Sequence, residues 1–464
     1  MLARLWRYTA LVVVAFLLLL ATQWKGLPIR TERQIEPRRV DPAAIQTPPG
    51  WKIEAVLTGL DAPADLAWGP DGRLYIAETG FAGAYAATSG VQGVYEGRIL
   101  QWEPGRPVQV YAAGFTPPLS GLAWGGPTLY ASHRGKITAV GPGPSRVDLV
   151  TGLPSYGDHG NNHLAIDAEG TIYITQGTVT NTGIVGLDNY VLDWPLAYPG
   201  VHDIPCRDVR LTDQNYATAD PRALLPLVQR TRTGGYQPFG MAARGGVARG
   251  EVPCNGAVMR VRPDGSNLEV VAWGLRNPFG IAFDRTGRLL VTDNGPDSRG
   301  SRPVEGLPDL LREVRPGTWH GWPDLWEKTP LGKPLLAKHP AIPPAPVARF
   351  EPHAGAAGMT VGPDGWIYVA QVGSSFPATA QDPAATGFNV VRVHPRTGKV
   401  ETVLANRRKG PQSWDRSGGL ERPVALRWGP DGDLWVLDYG RIQVTRKGPW
   451  VVPQTGVLWR VSRR

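Results

Sequence analysis

The sequence lacks the local signatures of several common enzyme classes. It contains no Ser nucleophile elbow, no P-loop, no dinucleotide-binding fingerprint and no C-x-x-C-H haem attachment motif. It also lacks the periodicity of a long amphipathic helix. Together with 58 glycines and 45 prolines in 464 residues, this absence is typical of an all-β protein with many turns.

Long apolar runs are confined to the N-terminus. Two arginines precede the segment Ala10 to Ala21, ALVVVAFLLLLA, which is short for a membrane span of about 20 residues. Neither a clear A-x-A cleavage site nor a lipobox cysteine follows. We therefore predict that residues 1–24 are a signal or membrane anchor, with an uncleaved anchor favoured over a cleaved signal, and that residues 25–50 are a tether. Either form places the body outside the cytoplasm, anchored to the membrane or secreted.

Cysteine is almost absent. Cys206 and Cys254 are the two in the chain, which is too few for a zinc site of the usual kind. In an oxidising compartment, a disulfide between them is favoured over two buried free thiols. On the chain-entropy model, closing that loop stabilises the fold by about 4 kcal/mol, less any strain.

The basic residues outnumber the acidic ones, but most of them are scattered along the sequence. The chain carries 49 basic and 40 acidic residues, a net charge of +9. The basic residues cluster only at the N-terminus and at Arg407, Arg408 and Lys409. Since no RNA- or DNA-binding signature accompanies them, we expect a solvated basic surface and no nucleic-acid partner.

One short sequence motif recurs six times along the chain. In each copy an apolar strand runs into a turn rich in Pro, Asp and Gly, and then into a second strand. A glycine such as Gly72 or Gly287 supplies the positive φ that a tight hairpin needs. Six repeats of this kind predict a six-bladed β-propeller. The copies are Leu66–Glu78, Leu122–Ser132, Leu164–Gln176, Ile281–Asp293, Met359–Gln371 and Leu426–Asp438.

Two long insertions interrupt the repeats. The first, roughly residues 178–261, separates copy three from copy four, and the second, residues 295–350, is rich in proline. We expect them as loops on one face, where long ordered loops commonly shape a binding site. The strand pair AVMRVRPDGSNLEVVAWG is expected to form outer strands of the fourth blade. The strand near Ile53–Leu57 is expected to complete the last blade and close the ring.

Polar residues cluster at the edges of copies three and four. His159 and His163 stand in YGDHGNNHLAI, before copy three, and a histidine at such a strand end can act as a general base near neutral pH. The alternative for His159 is a simple hydrogen bond within its loop.

Two further pairs bracket copy four. Arg276 and Asn277 stand in WGLRNPFGIAF, and Gly295 and Pro296 in VTDNGPD. An Arg-Asn pair can bind a carboxylate or a quinone oxygen, or it can tie adjacent blades together. The Gly-Pro pair offers two successive carbonyls that suit a hard cation such as calcium, or it forms only a turn.

These segments resemble the soluble quinoprotein sugar dehydrogenases, the glucose/sorbosone dehydrogenase family. The likeness covers about residues 51–461. It is strongest in GLRNPFGIAFDRTGRLLVTDNGP (Gly274–Pro296), GTWHGWPD (Gly317–Asp324) and LERPVALRWGPDG (Leu420–Gly432). The resemblance implies a six-bladed propeller, residues 51–464, that binds pyrroloquinoline quinone (PQQ) and calcium.

The resemblance also implies roles for single residues. His159 matches the base that takes the proton of the sugar hydroxyl. The positions that contact the cofactor fall on Arg276, Asn277, His163 and Arg422. The carbonyls that hold the catalytic calcium fall on Gly295 and Pro296.

The chain departs from the family pattern around the base. The pattern's Gly-Gly-Arg after the histidine is Asn161, Asn162 and His163 in this sequence. The Asp that orients the base falls on Thr178, and a cofactor-contacting Lys falls on Gly373. An orienting group of this kind is typically worth about 10²- to 10⁴-fold in rate. The candidates to replace it are Asp158, Asp188 and Asp203.

The resemblance implies an oxidoreductase that oxidises an aldose or related polyol, with hydride transfer to PQQ. Calcium would polarise the quinone carbonyl and Arg276 would stabilise the oxyanion. Since no haem is encoded, the electrons would leave to a quinone or another acceptor. Two alternatives stay open: a non-catalytic binding propeller that has lost its base partner, and a calcium-dependent lactonase-type hydrolase with carboxylates and asparagines around an axial cation.

Overall fold

The computed structural model describes residues 37–80, 96–141, 145–192, 194–223, 229–374, 386–445 and 448–463. Its strands form six blades around one ring, which confirms the predicted all-β, six-bladed propeller. Each repeat supplies the two inner strands of one blade, and Gly72 and Gly287 take φ values of +75° and +82°. The predicted anchor, residues 1–24, lies outside the described residues. No helix among the described residues is long and apolar enough to cross a membrane.

The chain enters the ring through its last two blades. After a 3₁₀ turn at Pro42–Ala44, β1 (Ile45–Gln46) adds a strand to blade five. β2 (Trp51–Leu60) then becomes the outer strand of blade six, which confirms that a strand near Ile53–Leu57 closes the ring. Because β1 pairs with blade five and Ile45 is buried, residues 37–50 belong to the folded body rather than to a tether.

Blades one and two are uninterrupted antiparallel sheets. Side chains from both, such as Ile99 and Leu122, share one buried apolar cluster, so the two sheets pack face to face. Strands β3 to β10 are Pro63–Trp68, Leu74–Glu78, Gly97–Trp102, Gln109–Phe115, Leu119–Gly125, Thr128–His133, Lys136–Val140 and Arg146–Val150.

Blade three is split by the first insertion. Its inner strands are β11 (Asn161–Ile166) and β12 (Ile172–Gln176). The insertion then forms α1 (Leu187–Val191), α2 (Trp194–Ala197), β13 (Val209–Leu211), β14 (Asn215–Ala219), β15 (Arg230–Gly234) and β16 (Gly246–Ala248). The outer strands, β17 (Ala257–Val261) and β18 (Glu269–Trp273), follow it.

The strand pair that the sequence assigned to blade four is therefore the outer half of blade three. β17 pairs antiparallel with β12, from Ile172–Val261 to Gln176–Ala257. The prediction was wrong because strand patterns do not show which partner a strand takes across a long insertion. The predicted disulfide between Cys206 and Cys254 is confirmed, and it closes a loop of the insertion that contains β13 to β16.

The remaining blades complete the ring. Blade four comprises β19 (Pro278–Phe283), β20 (Leu289–Asp293), β21 (Pro308–Val314) and β25 (Ala348–Pro352). Between β21 and β25, β22 (Thr318–Trp319) adds a parallel strand to β18 of blade three, and β23 (Leu325–Trp326) and β24 (Thr329–Pro330) form a separate hairpin. Blade five holds β26 to β29, which are Ala356–Val361, Ile367–Gln371, Asn389–Val393 and Val400–Asn406. A 3₁₀ turn at Gln412–Trp414 leads to blade six, whose strands are β30 (Pro423–Trp428), β31 (Leu434–Asp438) and β34 (Gly456–Arg463), with β2 at its outer edge. The strands β32 (Ile442–Thr445) and β33 (Gly448–Val451) form a separate hairpin between β31 and β34. The loops that follow β12 and β20 leave equivalent strand ends, so they meet on one face.

Candidate active site

A buried aspartate at the end of β20 fixes the loop that carries two of the predicted site residues. Asp293 is the last residue of its repeat and is fully buried. Its Oδ1 accepts the backbone N–H groups of Arg276 and Asn277 at 3.1 and 3.0 Å. The carboxylate therefore sets the position of both residues before their side chains make any contact.

His159 lies in the loop before β11. Its Nδ1 is 2.8 Å from the carbonyl oxygen of Thr178. Because a carbonyl can only accept, Nδ1 carries the proton and Nε2 keeps its lone pair. No described residue forms a hydrogen bond with Nε2. Burial, together with the positive charges of Arg276 and Arg299, lowers the pKa of His159 to about 3 against the opposing charge of Asp158.

None of the three candidate carboxylates forms a hydrogen bond with His159. Asp158 Oδ1 accepts from the side chains of Asn189 and Trp194 at 2.9 and 2.8 Å. Burial raises the pKa of Asp188 to about 6 and that of Asp203 to about 7. The Thr178 carbonyl therefore orients the ring, and the charge of Asp158 acts on His159 without a hydrogen bond to it.

Arg299 is the site residue that the sequence reasoning missed. Its guanidinium contacts the carboxylates of Asp158, Asp188 and Asp297 at 2.7, 2.8 and 3.4 Å. Although burial opposes it, the three carboxylates raise the pKa of Arg299. The residue joins the His159 loop, α1 and the loop after β20. It stands in a loop four residues after Gly295, where no periodic pattern marks a functional residue.

Arg276 lies beside the base, but its side chain is enclosed. It is 2% exposed. Its Nε and Nη2 donate to the carbonyl and the side-chain oxygen of Asn181 at 3.2 and 2.9 Å. Nη2 also pairs with Asp297 at 2.8 Å, and Nη1 donates to the Asn294 carbonyl at 3.3 Å. The insertion and the loop after β20 therefore occupy all three nitrogens of the guanidinium.

Asn277 belongs to a chain of three asparagine amides that joins blades three and four. Asn162 donates to the side-chain oxygen of Asn277 at 3.1 Å, and Asn277 donates to that of Asn294 at 2.9 Å. Gly177 separates Asn277 from His159. A Cβ at this position would lie 2.5 Å from the His159 Cβ and 2.9 Å from the Asn277 Oδ1. Glycine is needed here because it lets the base and the amide approach one another.

Gly295 and Pro296 keep the carbonyls that a cation would require. Both residues are buried, and neither carbonyl accepts a hydrogen bond from a described residue. The Gly295 N–H donates to Asp309 at 2.8 Å, and burial raises the pKa of Asp309 to about 6. Among the described residues, no three His, Cys, Asp or Glu side chains are grouped to hold a metal ion. A calcium ion here would need further oxygen ligands from a cofactor or from water.

A small pocket opens beside His159. Its volume is about 40 Å³ and its lining includes Tyr156, Trp194 and Tyr198. That is room for about one water molecule, whose share of liquid volume is about 30 Å³, whereas small-ligand sites have roughly 300–1,000 Å³. Trp194 of α2 lines this pocket and donates from Nε1 to Asp158 at 2.8 Å.

His163 lies apart from the base, where the inner strands of several blades meet. It is 1% exposed, its Nδ1 is 3.9 Å from Asp65, and its ring packs on Phe279 at 4.9 Å. Arg427 pairs with the same Asp65 at 3.0 Å. Burial lowers the pKa of His163. These contacts pack His163 between blades one, three, four and six, and its predicted contact with a cofactor stays a prediction.

Arg422 lies at the end of blade six. Its Nη1 donates to the carbonyls of Val372 and Ser374 at 3.0 and 3.1 Å, and its guanidinium lies 5.1 Å from the Phe388 ring. Its buried Nε has no hydrogen-bond partner among the described residues, and burial lowers the pKa of Arg422. No described contact joins it to His159, so the predicted set divides into a group around the base and this separate arginine.

The surroundings of Gly373 leave no room for the lysine that the family pattern has at this position. It has a φ of +73°, and a Cβ there would lie 2.4 Å from the Phe388 ring. The ring that contacts Arg422 thus fills the space that a longer side chain would need.

The fold matches solved structures, although the chain matches no protein-family model and no curated protein. One similar structure is the holo form of a pyranose dehydrogenase PQQ domain from Coprinopsis cinerea, at 15% identity over 95% of this chain and 99% of that chain, with a TM-score of 0.55. The calcium structure of a family AA12 carbohydrate-active enzyme from Trichoderma reesei has 17% identity over 94% and 100%, with a TM-score of 0.54. The PQQ-bound aldose sugar dehydrogenase from Streptomyces coelicolor has 16% identity over 90% and 100%, with a TM-score of 0.51. At these identities the likeness shows a shared fold.

Proposed function

We propose that this protein is a sugar dehydrogenase that oxidises a hydroxyl-bearing carbon of an aldose or related polyol, with PQQ as the hydride acceptor. The observation that carries the proposal is the state of His159, whose Nδ1–H is held by a carbonyl and whose Nε2 is free beside a pocket. The shared fold with an aldose sugar dehydrogenase and a pyranose dehydrogenase domain supports this reading.

In this reaction His159 Nε2 accepts the proton of the substrate hydroxyl. The same carbon loses a hydride, and the C–O bond becomes C=O. PQQ, when bound, supplies the electrophilic carbonyl that receives the hydride. Because burial, Arg276 and Arg299 together depress the pKa of His159 to about 3 despite Asp158, the ring is neutral at pH 7 and free to accept the hydroxyl proton, which it then releases to water. His159 therefore acts as a transient proton acceptor rather than as a base poised near neutral pH.

The residues present fit the cation more directly than they fit the quinone. The carbonyls of Gly295 and Pro296 have no donors among the described residues, and carbonyl oxygens are suitable calcium ligands. Arg276 and Asn277 would hold an acidic quinone only by exchanging contacts that they make now. Arg422 would contribute its unpartnered Nε.

The proposal also includes the location. The apolar segment Ala10 to Ala21 follows two arginines, which supports an extracytoplasmic protein held by an N-terminal anchor. The electrons pass from the reduced cofactor to a quinone or another acceptor, since the sequence contains no haem attachment motif.

Reconstitution tests the proposal. The purified protein is loaded with calcium and PQQ, and dye reduction is measured across a panel of aldoses. We expect PQQ binding by calorimetry and sugar-dependent reduction. The variant His159→Ala should retain PQQ binding and lose activity by about 10²-fold or more. Absence of PQQ binding by the wild-type protein would overturn the assignment.

A further inference from the structure

The orientation of His159 depends on one carbonyl group, that of Thr178. This carbonyl accepts both the backbone N–H of His159 at 3.2 Å and its Nδ1–H at 2.8 Å. Thr178 is fully buried. Its own N–H donates to the Arg276 carbonyl at 2.8 Å. A shift of the Thr178 peptide would therefore release the imidazole ring.

Asp203 fixes the chain immediately after Thr178. Its Oδ1 accepts the N–H of Val179 at 2.6 Å, and its Oδ2 accepts the hydroxyl of Thr180 at 2.5 Å. Asp203 is 1% exposed. It comes from the first insertion, three residues before Cys206.

Asn255 fixes the chain immediately before Thr178. Its Nδ2 donates to the carbonyl of Gly177 at 3.0 Å. Asn255 also exchanges two hydrogen bonds with Ile204, from its N–H to the Ile204 carbonyl and from the Ile204 N–H to its Oδ1, both at 3.0 Å. It follows Cys254, which is bonded to Cys206. Asp203 and Asn255 are thus parts of one cross-linked unit, comprising residues 203–206 and 254–255.

We propose that this disulfide-closed unit, hereafter the clamp, is the positioning device of the base. It holds the Thr178 carbonyl against His159 Nδ1, and so keeps the proton on Nδ1 and the lone pair on Nε2. The clamp does this work in place of the side-chain carboxylate that the family pattern has at Thr178. The inference rests on the proposed function for its catalytic meaning, but not for its geometry.

The charged groups around the His159 ring do not select its tautomer. Asp158, Arg276 and Arg299 face His159, and they act on its overall charge. A neutral imidazole still has two tautomers, and only a directed acceptor selects between them. Among the described residues, the Thr178 carbonyl is the closest acceptor to Nδ1.

The tautomer can be measured without cofactor or substrate. Full-length protein labelled with ¹⁵N-histidine gives separate ring-nitrogen signals for the eight histidines, and His159→Gln identifies those of His159. In the wild type we expect a protonated Nδ1 and an unprotonated Nε2. In Cys206→Ser/Cys254→Ser and in Asp203→Ala, we expect the two signals to move toward an average. Asp203→Asn, which can still accept from Val179, should resemble the wild type.

Asp324→Ala is the matched control. Asp324 is equally buried and accepts the N–H groups of Leu335 and Leu336, but it does not contact the clamp. It should lower the melting temperature and leave the His159 signals unchanged. Unchanged His159 signals in the folded clamp variants, or a proton on Nε2 in the wild type, would overturn the inference.

Kinetics of the PQQ-loaded enzyme give a second readout. In the clamp variants kcat should fall roughly tenfold or more with KM within about twofold, because the base is present but wrongly protonated. If the wild type shows no dehydrogenase activity, the proposed function fails while the NMR result still decides whether the clamp orients the ring. A fall in kcat of the same size in Asp324→Ala would assign the effect to general destabilisation and refute the positioning role.

Discussion

The strand ends of blades four and six use the same device, but different parts of the chain complete it. Asp293 and Asp438 each accept the backbone N–H groups of the residues 16 and 17 positions earlier. In blade four the cation that pairs with the aspartate is Arg312 of the adjacent strand, at 2.9 Å. In blade six it is Arg38, at 2.7 Å, from the segment ahead of the propeller. The aspartate of the repeat therefore fixes the backbone of both loops. Its cationic partner comes from within the blade in blade four, but from the N-terminal segment in blade six.

The two loops also differ in how their arginines, Arg276 and Arg422, are bonded within the protein. Arg276 in blade four is enclosed by Asn181 and Asp297, so its donors are used within the protein. Arg422 in blade six contacts two carbonyls and a phenylalanine ring, and its Nε has no partner among the described residues. The repeat fixes the backbone position of each arginine. The surrounding loops determine which of its guanidinium N–H groups are already hydrogen-bonded within the protein.

The largest effect should come from removing the aspartate of blade four. Asp293→Ala leaves Arg312, which is 1% exposed, without its anionic partner and leaves two buried N–H groups without an acceptor. We expect the free energy of unfolding, measured by urea titration, to fall by about 3–5 kcal/mol. Asp264→Ala, on an exposed turn, should leave the transition midpoint unchanged. A loss under about 1 kcal/mol in Asp293→Ala would show that the loop is held by other contacts.

A smaller loss should follow from removing the added cation of blade six. Arg38→Ala deletes the ion pair with Asp438 and two hydrogen bonds to carbonyls, but Asp438 keeps backbone N–H donors. We expect a loss of about 2–3 kcal/mol in the same titration. The neighbouring Arg39→Ala, whose side chain is exposed, is the matched control and should behave like the wild type. Equal losses in Arg38→Ala and Asp293→Ala would remove the distinction between the two blades.

A still smaller effect is expected for the enclosure of Arg276. Asn181→Ala removes the amide that accepts from Arg276 Nη2, while the ion pair to Asp297 remains. We expect a loss of about 1–2 kcal/mol in unfolding free energy, measured by urea titration. If the loss matched that of Asp293→Ala, the insertion would be as important for blade four as its own strand.

The sequence predicts the ring more completely than it predicts the site. The six repeats locate both inner strands of every blade, because a hairpin is a local structure whose turn residues and apolar alternation are visible in about a dozen positions. Ring closure by the strand near Ile53–Leu57 and the Cys206–Cys254 bond follow from counting strands and cysteines.

The features that the sequence did not predict depend on contacts between distant segments. Arg299 pairs with Asp158 across 141 positions, and Arg38 with Asp438 across 400. A charged residue in a loop carries no periodic signal, so its partner is set by how the insertions pack. For the same reason the sequence did not predict the contacts of His163 with Asp65 or of Arg422 with the Val372 carbonyl.

The smallest expected effect is a difference in pH dependence between the two aspartates. At Asp293, burial outweighs Arg312 and the backbone donors and raises the pKa above the usual value of 3.8. At Asp438, burial is outweighed by Arg38 and the backbone donors, which lower the pKa below 3.8. A carboxyl with a lowered pKa gives stability that is present above its unfolded value and is lost as the pH falls through its folded value. A carboxyl with a raised pKa has the opposite sign, so the fold gains stability as the pH falls toward the unfolded value.

Asp438→Asn and Asp293→Asn separate these signs. The stability difference between wild type and Asp438→Asn should shrink as the pH falls below the unfolded value of about 4, whereas the difference between wild type and Asp293→Asn should widen as the pH falls toward that value from above. Each tenfold change in an ionisation equilibrium contributes about 1.4 kcal/mol, so urea titrations at several pH values can resolve slopes of opposite sign. Slopes of the same sign would show that the added Arg38 does not make the blade-six aspartate electrostatically different from its counterpart in blade four.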